Sequence, residues 1–385
     1  MDRLTRPLVC GQCLYVSRQT ILTAKFAKLS LAAVLFRLGI IGVVMLGAAA
    51  AFAYVAGWLS PQRLTQASLM DAFARLNGAH PGFRRNHAKG LCVSGWFDST
   101  GAATLLSKSA ILESGRVPVI GRLALASGMP MQADTSSAVR SLALRLVGPD
   151  GEEWRTGMND IPVFPVNTAQ AFYEQLLASK PLAAAAKPDP QSMKAFLDRH
   201  PETVRALSLI GSRSVTPGFA DSTFNSLDAF RLVDEGGRST PVRWAAVPLE
   251  PPVADAPGPR VSRDGNYLFD DLIAQIHQHP LQWRLMITVG QPQDPTADAT
   301  LPWPADRAQI DAGTLTLDTV SSEDGGPCTD INFDPLVLPP GIEPSDDPLL
   351  SARSATYARS FTLRGAERRA KPPSAVTSKE VGDGT

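Results

Sequence analysis

The chain has 385 residues, enough for one large domain or two modest ones with a sizeable core in either case. Lys plus Arg and Asp plus Glu stand at 37 each, so no net field steers the protein toward nucleic acid or an acidic partner. With 32 prolines and 30 glycines the body is expected to be loop-rich, and nothing in the composition marks the whole chain as disordered. From Leu38 to Gln62 no residue is charged, and LGIIGVVMLGAAAAFAYVAGWL (38–59) is long enough to cross a bilayer as a helix. Six basic residues, Arg3 to Arg37, precede it against Asp2 alone, which puts residues 1–37 in the cytoplasm as a basic tail. The remainder then lies in the periplasm or otherwise outside the cytoplasm. Ala51-Phe52-Ala53 is a small-x-small site that offers the rival reading of a cleaved signal, but the long basic region ahead favours an anchor.

Residues 63–80 read as an amphipathic helix, with Leu64, Leu69, Phe73 and Leu76 at helical spacing and Asn77-Gly78 as the stop. From about 88 to 175 short apolar runs predict strands, among them RVPVIGRLAL (116–125), SLALRLVG (141–148) and IPVFPV (161–166), the last two joined by a GPDGEE turn. Residues 168–210 turn helical. A hairpin follows at 229–249, a helix at 270–280 and a strong strand at 281–290. Beyond 290 the chain reads as loop with one helix near 346–358, and residues 366–385 as a polar, disordered tail. This order, with hairpins rather than regular βα alternation, argues for an α+β fold. No GxGxxG or GxxxxGK[ST] occurs.

Of the four cysteines, Cys10 and Cys13 form a CxxC in the basic tail, where two plain thiols are the simplest reading. Cys92 and Cys328 fall in the body, and their pairing in an oxidising compartment stays open. His277 and His279 raise a metal-hydrolase alternative, but alternate positions on a helix point apart and fit surface histidines.

Three segments carry chemistry: Arg84-Arg85-Asn86-His87-Ala88-Lys89-Gly90; Gly157-Met158-Asn159-Asp160-Ile161-Pro162-Val163-Phe164; and Ser345 to Tyr357, in which Arg353 and Tyr357 share one helix face. Singly they read as a basic loop, a strand edge and a capped helix. In this order, together with ADT at 133–135, Arg140 and FDPLVLPPGIEPSDDPLLSARSATY, they resemble the haem-dependent catalases, and in particular the small catalase-related peroxidases, over about residues 60–365.

The resemblance implies an antiparallel β-barrel with flanking helices and a haem b cofactor whose iron is ligated by Tyr357. It places His87 and Asn159 over the iron and Phe164 and Phe172 beside the haem. Arg353 falls where it favours the Tyr357 phenolate, and Arg84, Arg122 and Arg364 where they hold the propionates. His87 then takes a proton from one peroxide oxygen and returns it to the other while Asn159 holds the peroxide in line, so that the O–O bond breaks heterolytically. Two departures stand out. Ala124 occupies the place of a serine that orients the distal histidine, so another group must hold His87. Asn86 is polar where the family has a small apolar residue, as in allene oxide synthases.

The expected activity is a peroxidase reducing hydrogen peroxide or organic hydroperoxides with an organic electron donor, and only weakly a catalase. A lipid hydroperoxide-converting enzyme and a non-catalytic haem-binding protein are the alternatives.

Overall fold

The computed structural model describes residues 30–56, 58, 64–135, 138–181, 188–249 and 265–382. Cys10, Cys13 and most of the basic tail lie outside these. The chain divides into two compact units, residues 1–63 and 64–385.

In the first unit α1 (Leu31–Val55) is a 25-residue apolar helix with no buried residue, N-capped by Ser30, whose Oγ accepts from Ala33 N at 3.3 Å. Its length and composition fit a membrane span or a signal segment. It begins seven residues before the predicted segment and includes Arg37.

The second unit is a closed barrel. Its strands are β1 (Gly90–Ser99), β2 (Gly115–Leu125), β3 (Arg140–Val147), β4 (Glu153–Asn159), β5 (Phe224–Asn225), β6 (Phe230–Val233), β7 (Ser239–Pro248), β8 (Leu281–Val289), β9 (Gln309–Ser321) and β10 (Ile342–Pro344). Eight of them run in the order β7-β5-β4-β3-β2-β1-β9-β8, and β8 pairs back onto β7, so the barrel has no free edge. β6 follows β5 along the same edge of β7, and β10 pairs with β6. The core is largely aliphatic around an aromatic cluster in which Trp154 meets Trp244 edge-on at 5.0 Å and Phe230 stacks on Trp244 at 4.3 Å. Trp244 Nε1 donates to Thr156 Oγ1 at 2.9 Å, which satisfies its one buried polar atom.

The helices flank this ring: α2 (Gln66–Asn77), α3 (Ala169–Ala178), α4 (Pro190–Arg199), α5 (Pro201–Gly211), α6 (Tyr267–Gln278), α7 (Pro348–Glu367) and the short α8 (Ser378–Gly382). Leu69 and Phe73 of α2 pack with Leu176 and Phe172 of α3 and Leu363 of α7, bringing three helices distant in sequence to one side of the barrel.

Three expectations fail. IPVFPV is a loop, since Pro162 and Pro165 cannot feed a ladder, and the partner of β3 is the earlier segment Glu153–Asn159. The stretch after 290 holds the longest strand, β9, whose alternation is broken because Asp318 has no partner on β1 and Ala312 none on β8. Residues 366–382 are not a loose tail: Val376 and Val381 are buried in the main core, and Lys371 and Ser374 bond Asp324.

Candidate active site

The distal loop is fixed by its own motif. Lys89 is buried and gives its ammonium to Asp134 Oδ1 at 2.6 Å, Gly265 O at 2.7 Å and Gln132 O at 2.9 Å, using all three donors. Asp134 Oδ2 in turn accepts from Leu268 N at 2.8 Å, so the AKG and ADT motifs lock to one another and to α6. Arg85 clamps the loop to α7 through Glu367 at 2.6 and 2.8 Å. Gly90 is required on packing grounds: a Cβ there would lie 2.6 Å from the Arg122 guanidinium and 2.6 Å from Leu123 O. Held at both ends, His87 adopts a left-handed backbone, φ 54°, a strained state for a non-glycine residue.

The missing serine is supplied from the neighbouring strand. In the barrel register Ala124 of β2 stands opposite Ser141 of β3, which stands opposite Asn159 of β4. Ser141 Oγ donates to Asn159 Oδ1 at 2.5 Å and lies 2.9 Å from His87 Nδ1. A hydroxyl has one proton, so with that proton on Asn159 it accepts from His87 Nδ1–H, and Nε2 carries the lone pair. Burial first, then the guanidiniums of Arg122, Arg353 and Arg84, push the imidazole down to about 3, so His87 is neutral in ordinary buffers.

Tyr357 and Arg353 sit one turn apart on α7, which Asp347 N-caps through Leu349 N at 2.9 Å. The Arg353 guanidinium lies 3.5 Å from Tyr357 Oη and 3.5 Å from Gly157 O, and pairs with the buried carboxylate of Asp228. Asp334 of the FDP motif accepts from Ser354 Oγ at 2.7 Å and so ties the preceding loop to this helix.

Arg84, Arg122 and Arg364 converge on Glu323, a residue the sequence reading passed over. Arg122 holds it in a two-pronged pair at 2.6 and 2.8 Å, and Arg84 approaches at 3.7 Å. Burial alone would raise Glu323, but Arg122 together with Arg84 and Arg364 keeps its carboxyl below the ordinary value. The carbonyls of Cys328 and Ile331 accept from Arg84, and that of Thr329 from Arg364. A disulfide between Cys92 and Cys328 ties this loop to β1 and closes the question left open by the sequence.

One cavity is lined by all nine residues singled out in the sequence: Arg84, His87, Arg122, Asn159, Phe164, Phe172, Arg353, Tyr357 and Arg364, with Asn86 and Ser141 among the others. Phe172 packs on Phe73 and Phe164 at 5.9 and 5.8 Å to form an aromatic side. His277 and His279 are exposed, and no metal-binding cluster occurs among the described residues.

The cavity fits a haem on grounds of charge and unmet donors. Three guanidiniums against the single carboxylate of Glu323 leave two positive charges for two propionates. Arg84 Nε and Arg364 Nη2 are buried without a hydrogen-bond acceptor among the described residues. A phenol with an adjacent guanidinium is a suitable iron ligand.

Residues 51–371 match the catalase family. The chain is 35% identical over 301 residues to a catalase-related peroxidase of Synechococcus elongatus, covering 78% of this chain and 89% of that one. It is 31% identical over 315 residues to a catalase-related peroxidase of Mycolicibacterium paratuberculosis, covering 80% and 98%. A solved bacterial catalase superposes with a TM-score of 0.65 at 22% identity, over 76% of this chain and 60% of that one, and a fungal catalase with 0.65 at 19% identity, over 74% and 60%. These two share the fold, and the chain spans about three fifths of their length. With the family profile covering most of its length and relatives this similar nearly end to end, the chain belongs to the catalase family.

Proposed function

We propose that the protein is a haem b-dependent peroxidase that reduces hydrogen peroxide or an organic hydroperoxide at the expense of an organic donor, with weak catalase activity. The observation that carries this reading is the pairing, in one cavity, of a neutral His87 with Tyr357 and Arg353 and an arginine cluster carrying two spare charges. When bound, haem supplies the redox chemistry that moves oxidising equivalents from the peroxide to the donor.

The protein's own residues manage the protons and the pose. His87 Nε2 takes the proton from the peroxide oxygen to be bound and returns it to the departing one. Asn159, its carbonyl engaged by Ser141, keeps its amide N–H groups for the peroxide. Arg84, Arg122 and Arg364 would hold the propionates, and Tyr357 the iron. A second cavity adjoins this edge and shares Arg84, Phe361 and Arg364 with the first, which supports approach of an organic donor from that side. The Cys92–Cys328 disulfide and the apolar α1 support a catalytic body outside the cytoplasm, tethered to a membrane.

The test is an absorption spectrum of the purified full-length chain, then rapid mixing with hydrogen peroxide. The expected result is a high-spin ferric haem that is lost from Tyr357→Ala, and donor oxidation that outpaces oxygen release. A protein that binds no haem under adequate supply overturns the reading. Asn86 on the cavity wall favours one rival, conversion of a lipid hydroperoxide without a reductant, and turnover of such a substrate in the absence of donor would select it.

A further inference from the structure

Two non-glycine residues among those described hold a left-handed backbone, His87 at φ 54° and Leu227 at φ 66°. Such strain persists where the surroundings impose it and clusters at functional sites. His87 is accounted for by the distal wall. Leu227 is a buried aliphatic residue with no chemistry of its own, and what its turn accomplishes is the placement of the next residue. Between β5 and β6, which run in the same direction along one edge of β7, the chain kinks at Ser226-Leu227-Asp228, closed by Asp228 N donating to Ser226 O at 2.9 Å and Ser226 Oγ donating to Asp228 O at 3.1 Å. The Asp228 side chain is 2% exposed, and its carboxylate meets the Arg353 guanidinium. A carboxylate that deep is tolerated only with a charge partner. The partner here is the arginine that touches Tyr357 Oη.

We propose that Asp228 is a positioning residue that sets the charge felt by Tyr357: its carboxylate offsets the pull of Arg353 on the phenolate, strengthens donation to the iron and favours the ferric state. This rests on the haem reading above. An isolated guanidinium beside a phenolate withdraws electron density and stabilises reduced iron, whereas a guanidinium–carboxylate pair is close to a neutral dipole and does so far less. The carboxylate engages Nη1 of the guanidinium, whereas the phenol lies against Nη2.

The experiment is the ferric–ferrous midpoint potential of the haem-loaded full-length chain, followed by its absorption spectrum. Asp228→Asn should shift the equilibrium toward ferrous by about tenfold, which is about 59 mV for one electron. Asp228→Glu, which keeps the charge, should stay within about twofold of wild type. An unchanged midpoint for Asp228→Asn overturns the inference. So does a lowered one, which would mean that the carboxylate only keeps Arg353 in place. If Asp228→Asn does not hold haem, Arg353→Gln and the double variant Arg353→Gln/Asp228→Asn carry the same test. The unpaired carboxylate should put the midpoint of the single variant below that of the double, and equal midpoints overturn the inference. A wild type without haem, or with haem that is indifferent to Tyr357→Ala, sinks the haem reading itself. Tyrosine-ligated haem with unmoved midpoints sinks only the role of Asp228.

Discussion

The two walls of the cavity are built on opposite electrostatic plans. The distal wall is a row of neutral groups, His87, Ser141 and Asn159, joined by hydrogen bonds from the loop before β1 to β3 and β4. The proximal wall is a buried ion pair, Asp228 with Arg353, set against a phenol on α7. One strained left-handed residue, His87, stands in the distal wall, and another, Leu227, immediately precedes Asp228. The neutral network presents a lone pair on His87 Nε2 and an amide donor on Asn159, groups that can meet a proton in transit, whereas a buried ion pair resists any change in charge. On the proposed function, proton movement falls to the distal wall and a fixed electrostatic setting to the proximal one.

The largest expected effect comes from removing the proposed proton carrier. His87→Ala should lower the rate of peroxide consumption by about 10²- to 10⁴-fold, the usual contribution of a positioned acid–base group, while haem content and the ferric spectrum stay in place. Rapid mixing at saturating donor reads this directly. A loss of haem in parallel would move His87 from chemistry to structure and erase the contrast between the walls.

Next is the anchor of the distal loop. Lys89→Met leaves Asp134 buried without its cation and should cost about 3–5 kcal/mol in unfolding free energy, measured by urea titration. A loss below about 1 kcal/mol would show that the loop is held by its other contacts.

A smaller effect tests the relocated serine. Ser141→Ala should reduce peroxide consumption by about tenfold through loss of one hydrogen bond to the imidazole. Because residues 124 and 141 face each other in the register, Ala124→Ser should restore most of that loss in the double variant. Absence of rescue would mean that the hydroxyl acts chiefly through Asn159, which only Ser141 is shown to reach.

The sequence made most of this cavity legible because its residues lie in motifs whose internal spacing is local: His87 three after Arg84, Tyr357 four after Arg353. What it hid depends on tertiary register. Ser141 reads as one more serine until β2 and β3 are paired. Asp228 and Glu323 stand in unremarkable stretches, SLDAF and SSEDG, and gain meaning only when the barrel closes around Arg353 and Arg122. The same holds for the fold. Single-strand periodicity found β2, β7 and β8, but β9 pairs on both sides through bulges that shift its alternation, so its pattern is visible only alongside its neighbours. The C-terminal segment misled for a related reason: two valines, Val376 and Val381, are enough to seat a polar stretch once Asp324 offers Lys371 and Ser374 a partner.

The smallest expected effect is on stability against pH before haem is loaded, and it tests the neutrality of the distal wall. His87 is pushed down to about 3 in the folded protein, against about 6.5 for a free imidazole. Between those values the unfolded chain binds a proton that the folded chain does not, so stability rises with pH across that window and is lost as pH falls through it. Asp347 works the other way: burial pushes it up to about 6, so between about 4 and 6 the folded chain binds the extra proton and the contribution falls as pH rises. The wild-type profile therefore mixes both signs, and the difference between wild type and His87→Gln isolates the histidine. That difference should be near zero at pH 7.5 and reach about 1.4 kcal/mol by pH 5.5, with the wild type losing more, since each pKa unit is worth about 1.4 kcal/mol. Urea unfolding of both proteins at four pH values reads it. A flat difference would mean that His87 takes up its proton as readily in the folded state as in the unfolded one, and the distal wall would then carry a charge below about pH 6.5.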